Sequence, residues 1–252
     1  MAQIKEKDFL YVKEDLENGR ISPVIMRAGL ITLFFVSGLF VGIAYAVANS
    51  SSTLIGWENL SLFWRMIFIL QGVLFLLQLV LIFFIDGNSN WSQLTLNVGY
   101  VVYWYKFALD PFITSSMFAM NNGVYEILFP IIIIVIIFGF LFHFYLVKKE
   151  LKSDKAKKKK RKKAKQDGKN FLYKVIPPFF LLAILVGYLM KNDMFYEGEL
   201  LFLLGVSTLL FFLLMIGTIE FVIGAYCLIR FPSFRVNPPN TKKQQKNEKG
   251  KN

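Results

Sequence analysis

The chain has 252 residues, 55% of them hydrophobic, with a mean hydropathy of +0.49 and a formal net charge of +12. A soluble domain of this length does not carry so much apolar surface, and 27 Phe and 11 Tyr push the composition further toward lipid, which excludes a water-soluble main body. The lone cysteine, Cys227, excludes an intramolecular disulfide.

Residues 1–23 form a polar leader of mixed charge that does not read as a secretory signal. Within it Phe9, Val12, Lys13 and Leu16 fall at helical spacing and stop at Gly19. Two readings fit: a short helix lying in the membrane interface, or a partly ordered polar leader. The first apolar stretch, 24–48, follows Ser22–Pro23, which supply a capping hydroxyl and a proline where a helix starts without losing a hydrogen bond. Gly38, Gly42 and Ala46 lie one turn apart along it, and small residues at that spacing let another helix backbone come close. Packing within the same bundle is the favoured reading, ahead of a homodimer face or a face for another membrane protein.

A second span reads at 62–85, with Arg65 near its outer end. Segment 94–120 is apolar and aromatic but contains Lys106, Asp110 and Pro111. Lys106 and Asp110 are four residues apart on one helical face. Charges inside a membrane are costly unless paired or wetted, so an intrahelical pair would explain their tolerance. The readings here are a polar site at the bilayer centre, where Pro111 also frees a carbonyl, or a segment that falls short of crossing and lets both charges reach the headgroups.

Span 124–147 begins with Glu126 at the interface and carries the only histidine, His143, near its cytoplasmic end. No ligand set accompanies that histidine, so snorkelling is its expected role. Residues 148–170 are polybasic: thirteen Lys/Arg against three Asp/Glu between Lys148 and Lys169 supply most of the net charge. Two further spans, 171–190 and 200–229, lead to a basic tail at 230–252. Lys/Arg-rich loops stay on the cytoplasmic side, so both the polybasic loop and the tail are placed inside. The first 20 residues carry four Lys/Arg, whereas 49–60 carry none, which places the N-terminus inside as well. An inside start and an inside polybasic loop require an even number of crossings between them, which makes 94–120 the fourth. The expected fold is therefore an all-α, polytopic bundle of six spans with both termini cytoplasmic, and five spans as runner-up.

Glu220 lies ten residues before Arg230, hence ~15 Å along the helix from its end. Gly217 and Gly224 flank it on one face, so it is expected to point into the bundle, either as a neutral carboxyl or paired with Lys106 or Arg65, as a structural contact or as part of a proton or cation relay.

No HExxH, GxSxG or Gly-rich phosphate loop occurs. The expectation is a non-enzyme without catalytic residues, cofactor or metal. The run Lys157, Lys158, Lys159, Lys160, Arg161, Lys162 and Lys163 is assigned to anionic lipid headgroups. Nucleic acid is not expected, because no aromatic side chain interrupts the run to stack on bases. Cell-membrane localisation in a bacterium fits the Lys-, Asn-, Ile- and Phe-rich bias. Two functional classes follow: an accessory or protective protein, like immunity factors against toxins and bacteriocins, acting through helix–helix contacts; or a small transporter such as the permease subunit of an ABC-2-type exporter, which would need a separate ATPase subunit.

Overall fold

A computed structural model describes residues 6–49, 56–87, 89–152 and 198–235. Segment 171–190, basic residues 157–163 and the distal tail lie outside the described residues. All regular structure among the described residues is helical: a 3-10 turn Glu6–Phe9, then α1 (Leu10–Asn18), α2 (Pro23–Ala48), α3 (Gly56–Asn59), α4 (Leu62–Phe84), α5 (Asn90–Asn121), α6 (Tyr125–Lys152) and α7 (Gly198–Arg230), closed by a 3-10 turn Pro232–Phe234.

Helices α2, α4, α6 and α7 are long and apolar enough to cross a membrane. Only 17–28% of their most apolar windows is buried inside the bundle, so Phe35, Leu39, Phe83, Phe84, Ile134 and Phe144 face outward. That outward apolar surface is what lipid solvates and water does not. Helix α5 is different. Its 32 residues correspond to ~48 Å, ample for a crossing, and it packs against α2, α4, α6 and α7 together. Gln93, Asn97, Lys106, Asp110, Thr114, Ser115 and Ser116 are buried along it. Its weaker hydropathy follows from that position: the central helix presents its side chains to other helices, which satisfy polar groups, rather than to hydrocarbon.

Contacts fix the directions. Gly29 lies against Tyr100 and Phe40 O accepts from Thr114, so α2 and α5 run parallel. Gln78 donates to Leu30 O, and Phe68 meets Tyr45, so α4 runs antiparallel to α2. Gly139 against Phe211 and His143 bonded to Met215 O make α6 and α7 parallel. Gly87 turns the chain from α4 into α5 at φ +72, and a Cβ there would sit 2.7 Å from Pro23 Cβ. This joins the α4–α5 turn to the start of α2.

The same end of the bundle carries α1. Phe9, Val12, Leu16 and Ile21 bury against Ile223, Cys227, Leu228 and Phe234, and Ser233 donates to Glu6 across the two 3-10 turns. Of the two readings of the leader, the helix is the one that forms, and its apolar face covers the last turns of α7. It stops at Gly19, whose N–H bonds Asp15 O at 2.9 Å. Ser22 is the N-cap of α2, yet its hydroxyl makes no capping bond; the proline alone marks the start.

Small residues do set helix approach, though mostly not the expected ones. Gly38, Gly42 and Gly217 have nothing within 4 Å of where a Cβ would stand, and Ala46 is exposed. Packing at these positions is thus not made by the described residues, and the expected span 171–190 lies outside them. Gly224 does pack: a Cβ there would stand 3.1 Å from Ile21 Cδ1. The tightest approaches are at Gly29, Gly99 and Gly139, where a Cβ would strike Tyr100, Leu81 and Phe211.

Candidate functional site

Lys106 and Asp110 are where α2, α4 and α5 converge. Helical periodicity puts them one turn apart on α5, and Lys106 Nζ lies 3.1 Å from Asp110 Oδ2. Their side chains are 4% and 0% exposed. The neighbouring helices complete the site. From α2, Ser37 donates to Asp110 while accepting from Lys106 Nζ at 2.6 Å. From α4, Gln71 Nε2 donates to Asp110 Oδ1 at 3.2 Å, and the Phe75 ring lies 4.1 Å beneath the ammonium. The carboxylate thus receives three side-chain donors and the ammonium meets a carboxylate, a hydroxyl and an aromatic face. This is the arrangement that makes a buried charge pair tolerable.

The depth of the pair follows from its partners. Ser37 is ~21 Å along α2 from Pro23, and Gln71 is ~14 Å along α4 from Leu62, so both stand near the middle of their helices. The pair therefore stands level with the middle of both helices. Toward the α3 end the polar groups are closed off. Thr114 bonds Phe40 O at 3.0 Å, Ser115 and Ser207 bond each other at 3.0 Å, and Ser115 also returns to Pro111 O at 2.9 Å. Beyond them Val41, Ala44, Ala48, Leu60, Trp64, Phe68 and Met117 form an apolar plug.

Glu220 is not part of this cluster. Gly224, one turn on, packs beside Ile21 and Asn97 at the level where α2 begins, so the turns of α7 beyond it project past the bundle and carry α1. Counting from Arg230 therefore overstates how deep Glu220 lies. Its side chain is 43% exposed and pairs with Arg20 at 3.8 Å, a cation from the turn between α1 and α2. Neither Lys106 nor Arg65 is its partner. Arg65 stands at the opposite end, where it donates to Leu60 O at 2.7 Å and Glu58 O at 3.2 Å.

His143 departs from the snorkelling expected of it. It is 1% exposed, held between α5 and α7 by Met215 O at Nδ1 (2.8 Å) and by Tyr105 Oη at Nε2 (2.7 Å). A carbonyl only accepts, so Nδ1 carries the proton and the Tyr105 hydroxyl donates to Nε2. Among the described residues no group of three His, Cys, Asp or Glu side chains could hold a metal ion.

Sequence spacing revealed Lys106 and Asp110 but missed Ser37, Gln71 and Phe75. A polar residue in each of the two adjoining apolar stretches was the available signal. No protein-family model, curated protein or solved structure matches the chain.

Proposed function

We propose that the chain is a six-span, non-enzymatic protein of the bacterial cell membrane that acts through helix–helix contacts, as an accessory or protective protein of the toxin-immunity kind. Chain direction supports the six spans. Helices α6 and α7 are parallel, so the chain between them has to return across the full height of the bundle, and 171–190 is apolar and just long enough for that crossing. With α5 included, the number of crossings is even. Charge supports the orientation: Lys13, Arg20, Arg27, Lys148, Lys149, Arg230 and Arg235 gather at the α1 end and Arg65 at the other, so the α1 end faces the cytoplasm. The basic run 157–163 then meets anionic headgroups of that leaflet.

The observation that carries the accessory reading is the outward stripe of Gly38, Gly42 and Ala46, which has no described neighbour within 4 Å of either glycine. Among the described residues the buried charged groups are spent on one another, and the stripe suits close approach by a further helix, which this reading assigns to a partner. The transporter reading, permease plus ATPase subunit, drew on Glu220 joining Lys106 and Asp110; the separation of Glu220 from that pair weighs against it.

The test is survival of cells expressing the native chain, or Gly38→Ile/Gly42→Ile at equal membrane abundance, against a panel of secreted membrane-active toxins. Protection by the native chain alone is expected. Equal protection by both, or none by either, refutes the reading. Reporter fusions after Arg235 and in the Asn121–Gly123 turn test orientation, the first expected inside and the second outside.

A further inference from the structure

We propose that a file of water enters the bundle at the α1 end and reaches the Lys106–Asp110 pair, giving that pair a one-sided path for water and protons. The inference goes beyond the accessory reading and does not depend on it. It rests on buried amide oxygens that accept no hydrogen bond. Gln78 is 1% exposed, Asn97 0% and Gln71 7%, and Oε1, Oδ1 and Oε1 of these residues have no partner among the described residues.

Chemistry fixes two of these orientations. Gln78 faces Leu30 O and Gln71 faces the Asp110 carboxylate, both acceptors, so each must turn its NH2 to them and its oxygen away. Asn97 spends its NH2 on Met26 Sδ at 3.4 Å, a weak acceptor. A buried amide oxygen left in this state calls for an unseen donor, and water is the usual one.

Gln78 and Gln71 lie along the seam between α2, α4 and α5, and Asn97 stands at its α1 end, where α5 meets α2 and α7. Asn97 stands beside Met26, near the start of α2; Gln78 bonds the next turn, at Leu30. Tyr103 Oη follows, donating to Leu74 O at 2.7 Å, and Gln71 completes the series at the charged pair. From Gln78 to Leu74 is ~6 Å along α4 and from Leu74 to Gln71 ~4.5 Å, intervals that one or two water molecules bridge. At the α1 end, one turn of α5 before Asn97, a gap of about 10 Å³ is lined by Leu16, Ile21, Pro23, Met26, Leu228 and one polar side chain, Gln93.

The path does not continue past the pair. On the far side Thr114, Ser115 and Ser207 satisfy one another and backbone carbonyls, and the Trp64–Phe68–Met117 plug follows. The unpartnered amide oxygens thus lie at the level of the pair or on its α1 side.

Silver ion, small enough to follow water, tests this on the full chain with Cys227→Ala and single cysteines at Asn97, Gln78 or Met117, in sealed vesicles of known orientation. Silver blocks a thiol from later reaction with N-ethylmaleimide after denaturation. Asn97→Cys and Gln78→Cys are expected to be blocked at least about tenfold faster than Met117→Cys, and faster from the α1 side, because only a hydrated site supplies thiolate. Rates equal to Met117→Cys, or faster blocking from the α3 side, overturn the proposal. A second measurement needs no substituted path. The Asp110 carboxylate infrared band, identified against Asp110→Asn, is expected to shift within minutes of transfer to D2O as its Ser37, Gln71 and Lys106 donors exchange. A band unchanged over hours overturns the proposal as well.

Discussion

Removing one charge from the Lys106–Asp110 pair is expected to cost far more than removing both. At 3.1 Å and an effective dielectric near 20, the mutual attraction is ~5 kcal/mol before desolvation is set against it. Lys106→Met leaves a fully buried carboxylate with the Ser37 and Gln71 donors but no countercharge. Asp110→Asn leaves the ammonium without a countercharge, facing one amide oxygen, Ser37 Oγ and the Phe75 ring. Breaking a buried pair from one side costs ~3–5 kcal/mol, whereas replacing both charges with groups of similar shape is often close to neutral. Each single variant is therefore expected to lose ~3–5 kcal/mol, and Lys106→Met/Asp110→Asn less than about 2 kcal/mol, giving a coupling of several kcal/mol in the cycle. For a chain of this size the single losses correspond to ~10 °C in Tm. The assay is SDS titration of the purified protein in mild detergent, followed by far-ultraviolet circular dichroism, with melting as a second readout. Single variants within about 1 kcal/mol of the parent, or a double variant as unstable as the two singles summed, would refute a structural ion pair at mid-depth.

Gly139→Ala drives a methyl into the Phe211 ring and is expected to cost ~1–3 kcal/mol; Gly38→Ala and Gly42→Ala, which meet nothing described, should stay within ~0.5 kcal/mol. Equal losses at all three positions in the same titration would contradict the assigned α6–α7 contact. Glu220→Gln removes an exposed pair and is expected to shift the midpoint by no more than ~0.5 kcal/mol; a loss of several kcal/mol would mean that the carboxylate is held elsewhere. Tyr105→Phe strips His143 Nε2 of its donor inside the bundle and should cost ~1–3 kcal/mol. An unchanged midpoint there would show that the histidine is not held as described.

Several elements were legible because they depend on local rules. The apolar runs of α2, α4, α6 and α7 were long enough to define spans, and the helix at 9–16 followed from its spacing and the glycine after it. The i,i+4 pair Lys106–Asp110 was legible for the same reason. Depth and facing were not. A residue count from Arg230 puts Glu220 too deep because it assumes that the helix ends with the bundle, while α7 runs on past the start of α2 beneath α1. His143 was assigned to the interface because nothing local signals Tyr105 or Met215 O. Gly38, Gly42 and Gly217 looked like packing residues, but a small-residue motif permits close approach without saying which helix, if any, comes close.

Composition and periodicity by themselves determined that the chain forms long apolar helices able to cross a membrane, with one charged pair an i,i+4 step apart in a less apolar helix. These follow from the cost of exposing apolar surface to water and from 3.6 residues per turn. Only the tertiary structure decided that α5 stands at the centre, that Ser37, Gln71 and Phe75 close over the pair, and that Glu220 faces outward with Arg20. Each of these depends on which helices meet and at what height. That is a long-range property, set by shape and hydrogen-bond satisfaction between segments far apart in sequence, so no local pattern encodes it.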